Sequence, residues 1–196
     1  NLSVNLVGSK NITATSGALT AVSNAFLIST GTASNIAFGQ QPTNAVAGVT
    51  IAPAVTVSIT DGLGNGVAGQ NITLSLGTGT GTLSGTLTQV TDGAGVATFP
   101  DLSIDLVGAK TLLATSGALN VGSNIFTINA GVGTNLVLVS GTPQQAPTDG
   151  IFAAPLVARV NDMFGNPVAG EIVIFTAQVG GGGQSASLSA PLTTNI

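Results

Sequence analysis

The 196 residues contain no cysteine, histidine, tryptophan or tyrosine. Without cysteine there is no disulfide framework and no thiol chemistry. Without histidine the commonest general base is gone, and with it the usual zinc ligands. Charge is scarce as well: 5% of residues are charged, against ~25% in an ordinary soluble domain. Only Lys10, Lys110 and Arg159 are positive, and the net charge is −4. A nucleic-acid partner needs a basic stripe to neutralise phosphates, so that class is excluded. Mean hydropathy is +0.56, yet no apolar run approaches the ~18 residues of a membrane helix. Membrane insertion is therefore not expected. An enzyme needs converging acid, base or nucleophile. The only Glu is Glu171, expected on a strand just after a turn, and the many Ser and Thr have no His to activate them. The composition points away from catalysis and from any cofactor.

What is present is repetition. DGLGNGVAG at residues 61–69 returns as DMFGNPVAG at residues 162–170, with six of nine positions identical. Residues 1–19, NLSVNLVGSKNITATSGAL, return at residues 101–119 as DLSIDLVGAKTLLATSGAL, with 12 of 19 identical. The offsets, 101 and 100 residues, define a unit large enough to bury its own core. Residues 1–30 read as the C-terminal part of a unit, 31–130 as a complete unit, and 131–196 as the N-terminal part of a further one. The joints STGTASN (29–35) and NAGVGTN (129–135) are short, which favours a stiff connection over loose beads.

Within the complete unit, residues 54–60 alternate: Val55, Val57 and Ile59 on one face, Thr56, Ser58 and Thr60 on the other. QNITLSL follows, with Ile72, Leu74 and Leu76 inward. Period two with β-branched residues means half-buried strands, and frequent Gly and Thr disfavour helix. Seven to nine short strands separated by turn signals predict an all-β sandwich. The next unit is expected to repeat this through NLVLVS, APLVARV and EIVIFTAQV. There the GGGG run at residues 180–183 replaces the Gly/Thr ribbon GTGTGTLSGTLTQVT of residues 77–91, and SASLSAPLTTNI resembles its part TGTLSGTLTQVT.

The polar turns are the candidate sites. Asp61 with Gly64, Asn65 and Gly69 forms the first, Asp92 with Gly95 the second, and Asp162 with Gly165, Asn166 and Gly170 the third. Asp caps backbone amides in such turns, and Gly permits φ > 0. Calcium is the one metal these turns suggest, through Asp61, Asp92 and Asp162. It needs six to eight oxygens, and each turn supplies one carboxylate, so structural turns are the expectation. Thr78, Thr80, Thr82, Thr86 and Thr88 are expected to place a hydroxyl row on one strand face. Lys10 and Lys110 hold equivalent places and are expected to snorkel from a strand end, the rival being an isopeptide crosslink. Asn11 and Asn71 begin N-x-T glycosylation patterns.

In order, the chain reads: alternating strand, D-x-x-G-N-x-V-A-G, strand, Gly-rich segment, T-D-x-x-G-x-A, strand, G-x-K-x-x-x-A-T, closing strand with Phe. The matching residues are Asp61, Gly64, Asn65, Val67, Gly69, Asp92, Gly95, Ala97, Gly108, Ala114, Thr115 and Phe126. The second copy supplies Asp162, Gly165, Asn166, Pro167, Val168 and Gly170, and the first fragment Gly8, Ala14, Thr15 and Phe26. This ordered set resembles the bacterial Ig-like domains of the invasin/intimin type. The resemblance implies tandem stalk domains of surface adhesins and fibres, outside the cell.

The partial units need completing, because half a sandwich leaves strand edges and core uncovered. Further chain could supply the missing strands. So could a neighbouring copy, with residues 1–30 against residues 131–196 of the neighbour, a head-to-tail contact that builds a fibre. The rival function is an adhesin module binding a host protein or glycan receptor, which requires an exposed aromatic or apolar patch.

Overall fold

The computed structural model describes residues 2–147 and 150–176, and these contain strands and no helix. The complete unit is a two-sheet sandwich. One sheet runs Thr88–Val90, Asn71–Thr78, Gly108–Ser116, Phe126–Asn129 and Ala45–Val46, with Leu119–Gly122 also paired to Gly108–Ser116. The other runs Val96–Phe99, Val55–Asp61 and Ala33–Gln40. Ladders are antiparallel except that of Ala45–Val46 on Phe126–Asn129. Eleven strands make the unit, more than the seven to nine expected. The excess arises because three of the strands are only two residues long: Ala45–Val46, Leu83–Ser84 and Ser103–Ile104.

The core follows the alternation. Val55, Val57 and Ile59 are fully buried, while Thr56, Ser58 and Thr60 between them are half-buried. Ile72 and Leu74 meet them from the opposite sheet, with Phe99, Leu102, Ile104, Leu112 and Ile128 filling the space between. Burying each such side chain is worth about 1.5–3 kcal/mol. The covered face of each strand therefore sets which way every other residue points.

Two expectations fail. The five threonines do not share one strand face, because the ribbon bends at residues 79–82 and again at 85–87. Thr78 Oγ1 instead bonds Thr111 Oγ1 at 2.9 Å, and Thr88 Oγ1 bonds Thr73 Oγ1 at 3.0 Å. Glu171 lies on no strand: residues 171–176 form no ladder with any of the described residues. Their counterparts at 71–76 are held by Thr88–Val90 and Gly108–Ser116, and the further unit has no equivalent of these among the described residues. The GGGG run at 180–183 and SASLSAPLTTNI lie outside the described residues.

The flanking parts repeat pieces of the same pattern. Gly8–Lys10 pairs with Phe26–Ile28, and Thr13–Ser16 with Leu19–Val22, as 108–116 pairs with 126–129 and 119–122. Asn135–Ser140 pairs with Val157–Asn161, as Ala33–Gln40 pairs with Val55–Asp61.

Candidate functional site

The D-x-x-G-N turns do more than cap themselves. In the first, Asp61 Oδ1 accepts the amides of Leu63 and Asn65, each at 2.9 Å. Asp61 Oδ2 accepts Asn65 Nδ2 at 3.0 Å and, from the linker, the amide of Gly31 at 2.9 Å. The third turn is a copy: Asp162 Oδ1 accepts Phe164 and Asn166 amides, and Oδ2 accepts Asn166 Nδ2 and the amide of Gly131. Gly64 and Gly165 take φ of 84° and 85°, which closes the loop over the carboxylate. Each Asp thus pins the linker that enters its own unit.

Each Asn reaches the unit before. Asn166 Nδ2 donates to the carbonyl of Asp105 at 2.8 Å, and Asn166 Oδ1 accepts the amide of Val107 at 3.1 Å. A carbonyl and an amide two residues apart are what one residue of a parallel strand engages. The Asn166 amide therefore continues the preceding unit's backbone pattern into the next. Asn65 Nδ2 makes the same reach to the carbonyl of Asn5, at 3.1 Å. A third contact comes from Phe164, whose ring lies over Gly48 in the loop after Ala45–Val46. Its counterpart Leu63 is 70% exposed. Net hydrogen bonds are worth about 0.5–1.5 kcal/mol each, so several acting together favour one orientation at the joint.

The carboxylates are tuned by these donors. The Gly31 amide and the Asn65 side chain lower Asp61 from 3.8 to about 2. At Asp162 burial pushes upward, and the Asn166 side chain with the amides of Gly131, Asn166 and Phe164 outweighs it, leaving the group below the ordinary value. The oxygens proposed for calcium at Asp61 and Asp162 are engaged by N–H donors. Asp92 Oδ1 likewise accepts Ala94 and Val96 amides, at 2.9 Å each, in the turn that Gly95 closes. No group of three or more acidic side chains that could hold a metal occurs among the described residues. Gly69 and Gly170 stand after their turns at φ of 74° and 80°.

Three participants carry no signal of their own in the sequence, and a fourth, Lys110, sits otherwise than expected. Asp101 and Asp105 tie down the Gly/Thr ribbon: Asp101 accepts Thr86 N and Oγ1, and Asp105 accepts Thr82 N. Both carboxyls sit below the ordinary value, through Thr86 and Thr82 respectively. Phe164 was masked by its counterpart Leu63. Lys110 does not snorkel: it is 1% exposed. Its amine donates to the carbonyl of Val107 at 2.9 Å.

No protein-family model and no curated protein matches the chain. Solved structures do. InvD of Yersinia pseudotuberculosis is 15% identical with a TM-score of 0.52, over 83% of this chain and 52% of that one. FdeC, an Escherichia coli adhesin, is 21% identical with a TM-score of 0.52, over 84% of this chain and 53% of that one. The D00-D0 domain of intimin is 20% identical with a TM-score of 0.39, over 56% and 58%. The chain thus spans about half the length of the InvD and FdeC structures. What these likenesses establish is architecture: the chain has the fold of the tandem bacterial Ig-like domains of the invasin/intimin type.

Proposed function

We propose that this chain is a non-enzymatic structural segment of an extracellular fibre or cell-surface stalk, whose work is to hold Ig-like units in a fixed relative orientation. The joint carries this reading. One turn pins its own linker through Asp162 and the preceding unit through Asn166, and Asp61 with Asn65 does so again one repeat earlier. A device repeated at every boundary suits force passing along a series of units. The test is the relative orientation of the complete unit and its successor, by residual dipolar couplings. A fixed orientation supports the reading; independent tumbling overturns it.

The flanking parts are open to completion, by further chain or by a neighbouring copy. Leu2 is 86% exposed where its counterpart Leu102 is fully buried. Ile12, the counterpart of buried Leu112, is exposed too, as is Phe152, the counterpart of buried Ile51. The uncovered face of residues 1–30 and that of residues 131–176 are opposite halves of one sandwich. Strands of one copy laid on those of the next would bury both, and repeat head to tail. Electron microscopy of the purified chain tests this. Filaments with a repeat of two units, roughly 30–40 Å each from strand length, support it, and monodisperse monomers overturn strand exchange. A second reading, an adhesin module for a protein or glycan receptor, draws on the likeness to FdeC. Binding of the isolated chain to a receptor or glycan panel would favour it over the purely structural role.

A further inference from the structure

The segment Val107-Gly108-Ala109-Lys110 holds a buried cation that the joint chemistry above does not use. The Lys110 side chain is 1% exposed, and among the described residues its amine makes one hydrogen bond, to the Val107 carbonyl, and no ion pair. Burying an ammonium is costly unless it is bonded, so its placement demands a return. The surroundings are cut to fit it. Gly108 turns at φ 110°, which brings the Val107 carbonyl round to the amine three residues on. Gly79 leaves room for the stem, since a Cβ there would lie 2.6 Å from Lys110 Cδ. The earlier copy repeats the arrangement: Gly8 has φ 111°, and Lys10 Nζ donates to the Val7 carbonyl at 3.1 Å.

Val107 is also the residue whose amide the next unit reads, through Asn166 Oδ1. Its carbonyl is held from inside the unit and its amide from outside. We propose that Lys110 is a positioning residue for the joint, fixing loop 105–108 so that the Asp105 carbonyl and the Val107 amide meet Asn166 in register. Lys10 holds the corresponding Val7 carbonyl in the earlier loop, where Asn65 engages the Asn5 carbonyl alone. The lysine thereby couples a unit's packed interior to the direction in which its successor leaves. This rests on the reading of the joint as an orienting contact.

The test uses the full 196-residue chain and two readouts: exchange of the Val107 amide, and the orientation of successive units by residual dipolar couplings. Lys110→Met keeps the stem and removes the donor. We expect Val107 exchange to rise about tenfold and the orientation to broaden. Ile72→Val, a core change at the far end of strand Asn71–Thr78, is the control for general loosening and should move neither. If Lys110→Met leaves both readouts at the unsubstituted values, or Ile72→Val moves them as much, the proposal fails. Should Lys110→Met not fold, the unsubstituted chain decides: a through-bond coupling from Lys110 Nζ to the Val107 carbonyl carbon is expected, and its absence overturns the proposal. Loss of fixed orientation in the unsubstituted chain would instead refute the joint reading itself.

Discussion

The ring of Phe164 occupies the space that a side chain at Gly48 would need. A Cβ built on Gly48 lies 2.4 Å from both Cε2 and Cζ of that ring. Gly48 also takes φ of 73°, so its backbone disfavours any other residue. Two penalties therefore fall on Gly48→Ala. The backbone penalty, about 1–2 kcal/mol, is felt by the complete unit alone, and the clash is felt only at the joint. The double variant Gly48→Ala/Phe164→Ala should recover the joint term and keep the backbone term. A double-mutant cycle on denaturation and on inter-unit orientation separates them.

Asn166→Ala removes the bonds to Asp105 and Val107 while leaving the Phe164 amide on Asp162. The orientation between units should broaden, and the complete unit should keep its melting temperature. The loss at the joint should be about 1–3 kcal/mol. Asn166→Asp should be worse, since it sets a second carboxylate against Asp162.

Acid should weaken the turn at Asp61. Its folded value is lowered from 3.8 to about 2, so protons bind the unfolded chain more readily. The stabilisation is complete above 3.8 and is lost as pH falls through about 2. Asp162 is shifted in the same direction. Melting temperature followed through that window should fall more steeply for the unsubstituted chain than for Asp61→Asn, which has no carboxylate to titrate.

Gly66 and Pro167 occupy equivalent places, yet they are not interchangeable. A Cβ on Gly66 would sit 2.0 Å from the Ala94 carbonyl oxygen, in the turn that Asp92 caps. Gly66→Ala should therefore cost about 1–3 kcal/mol in urea denaturation, the range for overpacking.

Calcium should leave the melting temperature unchanged relative to a chelator. The Asp61 and Asp162 oxygens that would have to ligate it already accept backbone and Asn donors. A rise in melting temperature with calcium would show those bonds exchanged for metal.

The sandwich was legible because strand period and turn chemistry are local. Val55, Val57 and Ile59 could be assigned to the core from alternation alone, and Asp61 to a cap from its neighbours. The joint was not legible, because its partners are remote: Asn166 and Asp105 lie 61 residues apart. Repeat comparison marked Asn65 and Asn166 as fixed, but a turn residue and a coupling residue leave the same trace. Phe164 looked exchangeable because Leu63 replaces it where the facing loop of an earlier unit would lie. Lys110 looked like any strand-end lysine, and only the glycines at 79 and 108, seen in three dimensions, reveal its pocket.

The contact through Asn166 addresses only main-chain atoms of the unit before it, a carbonyl and an amide. Apart from the lysine that positions those atoms from within the earlier unit, the handshake reads none of that unit's side chains. Repeats with this device can be duplicated, lost or reshuffled within a gene, and each new boundary will still close. Length can therefore evolve separately from surface character, one by recombination and the other by point mutation.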